Sequence, residues 1–451
     1  MPCSHANGEG ERESNGRGVD RRDFLRSAVA IGGANALAAC LEREETPPVG
    51  ATEFYSDVES PYPDRQHAWS DYLVTDPHGN TVMPMHNTLL FLDYTDEVPT
   101  DDERESVEEA FRTLERAFEW GTGDSVNAVV NRGLLFTVGY SPYYFDRYGE
   151  RPERPAMDAE ELVDELDGLG GFDEETEPDD YDAFVYLASG LANVVLGAEE
   201  ALFNNLDEIN GVEVRGGLDS ILEKCDRRTG FVGQTLATEH FEETDDAEAF
   251  DDNPISESSP LFMGFKSGYA DNLPPEDRVT IQDGPFAGGT VAQVSRTRLD
   301  LESWYEEDHN DRVEMMYSPR HDKENVGETG QSLAASSRVN EDMAEAADED
   351  AREKGVVGHA QKLAAARDDD FQATVLRRDF NSTTAGDANM EFVGFMERID
   401  DFVEMQEAMR GEHLNVEPER NGILGFFEAP NRATFVVPPR RLRALPPAKT
   451  D

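Results

Sequence analysis

Cysteine is nearly absent from this 451-residue chain: Cys3, Cys40 and Cys225 are all it has. Cys3 precedes a leader-like segment and Cys40 ends it. Cys225 is therefore left alone, and no intramolecular disulfide framework is expected in the mature chain. Lysine is almost as scarce, at Lys224, Lys266, Lys323, Lys354, Lys362 and Lys449. With 40 basic residues against 96 acidic ones, the formal net charge is −56. That deficit argues against nucleic acid as a partner, because phosphate contacts need clustered Lys and Arg. Long apolar runs are missing too: the stretch 28–39 falls short of the roughly 20 residues that a membrane-crossing helix needs. Neither a Gly-x-Ser-x-Gly elbow nor a His-Glu-x-x-His helix is present, which disfavours a secreted hydrolase.

What the chain has in excess is carboxylate. Short acidic side chains hold water and hydrated cations, whereas lysine stems expose apolar surface. At molar salt the Debye length falls to about 3 Å, so the mutual repulsion of these charges is screened. The composition reads as adaptation to salt-rich surroundings of the haloarchaeal type. An acidic disordered chain is disfavoured by 38% hydrophobic residues gathered into distinct runs.

The front end reads as an export leader. Asp20-Arg21-Arg22-Asp23-Phe24-Leu25-Arg26 has the form of a twin-arginine signal, and Leu37-Ala38-Ala39-Cys40 that of a lipobox, whose Cys40 thiol would be lipidated. Export by the twin-arginine route and anchoring at the outer face of the cell membrane follow. Residues 1–40 are then the signal, and 41–66 an acidic, proline-containing tether.

Beyond the tether, hydrophobic patterning alternates between strand and helix. Residues 87–94, 133–140 and 182–189 read as buried strands. Residues 101–120 put Val107, Ala110, Phe111, Leu114, Ala117 and Phe118 on one helical face, and 192–206 form an apolar helix. After about residue 230 the pattern recurs, with strands at 289–300, 371–378 and 391–397, helices at 341–351 and 399–410, and extended pieces at 421–427 and 433–439. Strand–helix–strand, strand–helix is the order of a ferredoxin-like α+β unit. Two such halves are expected, at 67–235 and 236–439. Residues 440–451 follow as a tail whose Arg440-Arg441-Leu442-Arg443 cluster reads as solvated.

Four segments carry the chemistry. They are Gly264-Phe265-Lys266-Ser267-Gly268, Gly288-Gly289-Thr290-Val291 opening a strand to Arg298, His359 in Gly355-Val356-Val357-Gly358-His359-Ala360-Gln361-Lys362-Leu363, and Arg377 in Val375-Leu376-Arg377-Arg378-Asp379. In that order, with His and Arg eighteen positions apart, they resemble the dye-decolourising (DyP-type) haem peroxidases. The resemblance runs from about His67 to Pro439. It implies two ferredoxin-like halves of the dimeric α/β-barrel type around a pocket for haem b.

In the terms of that family, His359 is the proximal iron ligand and Arg377 the distal cation, with Gly288, Gly289 and Arg298 beside the cofactor. A carboxylate would support the proximal His, with Glu397, Asp400 and Asp401 near the expected place. The family's distal Asp is Ser267 here, a residue that cannot act as a base at ordinary pH, and Asp271 is the carboxylate next along the chain. The substrates implied are hydrogen peroxide and small reducing compounds, and an oligomer is possible. Three readings compete: a weakened peroxidase, a haem-binding or haem-iron-handling protein, and a non-catalytic relic of the fold.

Overall fold

The computed structural model describes residues 62–121, 130–169 and 176–449. Arg21, Arg22, Cys40 and most of the tether lie outside the described residues. Within them the chain builds β-α-β-β-α-β twice. The first half comprises β1 (His86–Tyr94), α1 (Asp101–Ala117), β2 (Leu135–Tyr140), β3 (Ala183–Ser189), α2 (Ala192–Leu202) and β4 (Leu222–Phe231). The second half comprises β5 (Thr290–Leu299), α3 (His359–Leu363), β6 (Leu376–Arg377), β7 (Phe380–Ser382), β8 (Asn389–Met396), α4 (Ile399–Arg410) and β9 (Phe427–Val437).

Each half makes an antiparallel sheet of the same order, β4-β1-β3-β2 in the first and β9-β5-β8-β7 in the second. The two sheets meet edge to edge through Asn381 opposite Phe231 and Val436 opposite Tyr140, so eight strands close into a ring. This is an α+β fold with two ferredoxin-like halves. Closure removes the free edges that an open sheet would expose. In β1, Leu89, Leu90, Phe91 and Leu92 are all buried, as a strand covered on both faces requires.

Helix α1 starts where Thr100 and Glu103 form a reciprocal capping box, and it buries Val107, Ala110, Phe111, Leu114 and Ala117 against the sheet. Two stretches depart in kind from the pattern read in the sequence: 421–427, expected extended, is a turn with a 3-10 helix at Leu424–Phe426, and the other lies at 371–378. Residues 371–378 supply two strand residues, and a second short strand follows at 380–382.

Two further expectations are corrected. Cys225 is disulfide-bonded; the expectation that it stands alone sets Cys3 and Cys40 aside with the leader, and the full chain carries both. The closing basic cluster is docked rather than solvated. Arg440 and Arg443 are buried and share the buried carboxylate of Glu115 on α1, with Arg443 Nη1 at 2.6 Å. Arg443 also reaches Glu108 at 3.0 Å, and the Arg440 guanidinium lies 4.5 Å over Trp120. Desolvation pushes the Glu115 carboxyl up, but the two guanidiniums outweigh it and hold it below the ordinary range.

Glu115→Ala would leave buried arginine without its counter-charge. A loss of about 3–5 kcal/mol is expected, read as a lowered urea midpoint.

Candidate functional site

A cavity of about 200 Å³ lies between the outer face of the second half's sheet and the segments that cover it. Strand alternation supplies its floor: Ser295, Thr297 and Leu299 from β5, and Met390 and Phe392 from β8. Phe402, Met405 and Met409 of α4 close one side, and the loop 261–272 another. Apolar and polarisable side chains dominate, which suits a large flat hydrophobic ligand.

His359 enters from α3, a single short helix whose position is tightly set. A side chain at Gly358 would collide with the Tyr317 carbonyl, which lies 2.0 Å from where its Cβ would be. Gln361 is buried and donates to Asp350 at 2.8 Å, while Lys362 donates to the Asn421 side-chain oxygen at 2.6 Å. The same turn thus anchors two buried polar side chains and leaves His359 lining the cavity. Burial, then the charges of Arg377 and Lys362, lower the His359 pKa to about 3, so its imidazole is neutral. Burial likewise brings Lys362 down to about 7. Nδ1 of His359 is closed off and has no hydrogen-bond partner. Among the described residues no carboxylate supports it. Glu397 pairs with Arg154 at 3.3 Å, Asp400 with Arg398, and Asp401 caps α4 through the Arg398 amide at 3.2 Å.

Arg377 also lines the cavity, and among the described residues it makes no side-chain hydrogen bond or ion pair. Its neighbour Arg378 faces the opposite way. It is buried inside the strand ring, 4.5 Å over Trp69, donating to the His67 carbonyl at 3.0 Å and to Glu276 at 3.2 Å. The acidic-surface pairing that its position in the sequence suggests is not what holds it. Arg367, also in the lining, stacks over Phe371 at 4.4 Å and has no carboxylate partner among the described residues.

Ser267 lines the cavity; Asp271 is exposed and lies outside the lining. Gly288 and Gly289 sit in a turn against Pro439 and Val437, and Arg298 is exposed and pairs with Glu428, so these three also lie away from it. The cavity thus gathers His359, Arg377 and Ser267 from the residues singled out above. It adds Asp379, the one carboxylate among the described residues that line it. Burial raises the Asp379 pKa to about 6, against the opposing pull of Arg377. The period-two rule applied from Arg377 was the signal that could have found it.

The family model that matches this chain spans residues 84–439 and is described as a family of unknown function, DUF7405. The chain belongs to that family. No curated protein matches it. Among solved structures it is similar to a dye-decolorizing protein from V. cholerae, with 14% identity over 83% of this chain and 98% of that one, TM-score 0.50. A DypB variant from Rhodococcus jostii RHA1, solved in complex with heme, gives 15% identity over 84% and 98%, TM-score 0.50. Another DyPB structure from that organism gives 16% identity over 81% and 96%, TM-score 0.50. At such identities the likeness is one of fold, and the fold is DyP-like.

The DUF7405 chain should show an acid dependence set by its buried imidazoles. His359 and His67 both have pKa values lowered to about 3, so the folded state binds fewer protons than the unfolded state between about pH 3 and 6.5. Stability therefore falls as pH drops through that window, by about 1.4 kcal/mol per pH unit per histidine. Asp379 and Asp93, raised to about 6, act with the opposite sign between their ordinary value and 6. His359→Ala should remove one histidine's share of the acid loss, measured as urea midpoints from pH 7 down to 4.

Proposed function

We propose that this chain is an exported, lipid-anchored, DyP-like haem protein that uses hydrogen peroxide to oxidise small reducing substrates. One observation carries the reading: on a DyP-like fold, a neutral imidazole and an unpaired guanidinium line the same largely apolar cavity. The residues fit haem b. His359 offers an uncharged ring nitrogen for iron, the sheet floor and α4 offer apolar walls, and Arg367 offers a cation for a propionate. Bound haem would supply the iron that takes up one peroxide oxygen and the two electrons that cleave the O–O bond.

The protein's own part is electrostatic. Arg377 steers peroxide and stabilises negative charge on the departing oxygen, from the wall of a largely apolar pocket. Ser267 can donate or accept a hydrogen bond but does not remove a proton. That substitution favours a second reading on the same fold, haem binding or haem-iron handling with little turnover.

Arg21 and Arg22 support twin-arginine export, and Cys40 supports attachment to the membrane. No helix among the described residues is long and apolar enough to cross a membrane. The charge of −56 supports a salt-rich setting.

Mixed with haemin in high salt, the wild type should give a Soret band that His359→Ala lacks. A colourless wild type would overturn the haem reading. A band without peroxide-dependent dye oxidation would leave the haem-handling reading. Arg21→Lys with Arg22→Lys should hold the protein inside the cell, and Cys40→Ser should release it from the membrane fraction. The urea midpoint should rise between 0.1 and 2 M KCl.

A further inference from the structure

Asp379 stands two residues beyond Arg377, on the same face of an extended segment. Arg377 is in ladder register with Gly394 of β8, and Phe380 with Glu391. Between these points the chain alternates. Arg378 and Phe380 turn into the strand ring, against Trp69 and Tyr186, while Arg377 and Asp379 line the cavity. Oδ1 of Asp379 is closed off from solvent and has no hydrogen-bond partner. It makes no ion pair with Arg377 within 4 Å, so neither charge is consumed by the other. Leaving a buried acceptor unsatisfied costs about 1–3 kcal/mol. The carboxylate keeps one backbone hydrogen bond, with Val393, and leaves Oδ1 open; unsatisfied polar atoms of this kind gather where chemistry is done.

We infer that Asp379 is the proton-carrying carboxylate of this cavity, doing from the Arg377 strand what Ser267 cannot do from the loop. The inference rests on the haem reading above. The carboxylate takes a proton from one oxygen of hydrogen peroxide. As the O–O bond breaks it returns that proton to the other oxygen, which leaves as water, so no net proton is gained or lost. The two electrons come from the bound haem. Arg377, beside it, carries the negative charge that passes across the departing oxygen.

The groups around Asp379 suit that task. Arg377 on its own strand and a hydrogen bond from the Val393 backbone of β8 favour the charged form, and Tyr186 of β3 contributes a neutral hydroxyl within electrostatic reach. From α3, His359 adds no charge, being neutral. With burial raising the carboxyl to about 6, both protonation states are populated near neutral pH, as an acid–base group requires.

The test compares wild type, Asp379→Asn and Asp379→Glu, each with and without haemin. Without haemin, a difference titration should show the wild type taking up one more proton than Asp379→Asn, centred near pH 6. With haemin, all three should give the same Soret band. Asp379→Asn should react with peroxide about 10²–10⁴-fold more slowly. It should also lose the inflection near pH 6 in the rate of cyanide binding, because hydrogen cyanide must shed a proton to bind. Asp379→Glu should recover part of both. Because Oδ1 has no partner to lose and Asn keeps an oxygen for the Val393 amide, the Asn variant should melt no lower than wild type. A normal Soret band with unchanged rates in Asp379→Asn overturns the role of Asp379 and leaves the haem reading standing. So does the absence of the extra proton. A wild type that binds no haem overturns both.

Discussion

Everything in this molecule answers to the closure of eight strands into one ring. Two sheets of identical order are joined at two points, Asn381 to Phe231 and Val436 to Tyr140. The ring interior is filled by packed aromatics and buried arginine, so a ligand has to be taken on an outer face. In the first half that face is covered by α1 and α2. In the second, long insertions between β5 and β6 stand off from the sheet, and the cavity is the space they leave.

A chain so poor in cations spends its arginines inside. Arg228 is buried against Asp179 at 2.6 Å and Asp226 at 2.9 Å, and it lies 4.3 Å over Phe91. Arg378, Arg440 and Arg443 are likewise paired and stacked. Against that habit, an Arg377 without a carboxylate partner stands out. The same holds for Asp379, in a protein whose buried carboxylates mostly face guanidinium groups. The cavity is the place where the pairing rule is suspended, and that suspension sets it apart electrostatically from the rest of the interior.

The repeated β-α-β-β-α-β order was legible in the sequence because its strands are continuous apolar runs and its helices carry a clean apolar face. The α4 boundaries at Ile399 and Arg410 follow directly from that periodicity. His359 and Arg377 were visible through spacing and order. Asp379 was not, because it sits in an Arg-Arg-Asp triplet that reads locally as a surface ion pair. Only strand alternation separates its face from that of Arg378. Asp271 was selected by closeness along the chain and Gly288, Gly289 and Arg298 by the family resemblance; the turn at Gly288 and the face of β5 opposite Thr297 and Leu299 carry those three away from the cavity. The tail misled for a different reason: a basic cluster in an acidic chain looks solvated unless its partner, Glu115, more than 300 positions earlier, is known to be buried.

That last pairing bears on how the protein is made. Glu115 lies on the first helix of the first half, and its counter-charges are supplied by Arg440 and Arg443, beyond the last strand of the second half. Until residues 440–443 have been made, the Glu115 carboxylate of α1 lacks the two guanidiniums that pair with it. The N-terminal half therefore cannot settle into its final core as a nascent chain. Completion waits for the segment after the second half's last strand, which makes the molecule one cooperative unit in biogenesis even though its architecture is written twice.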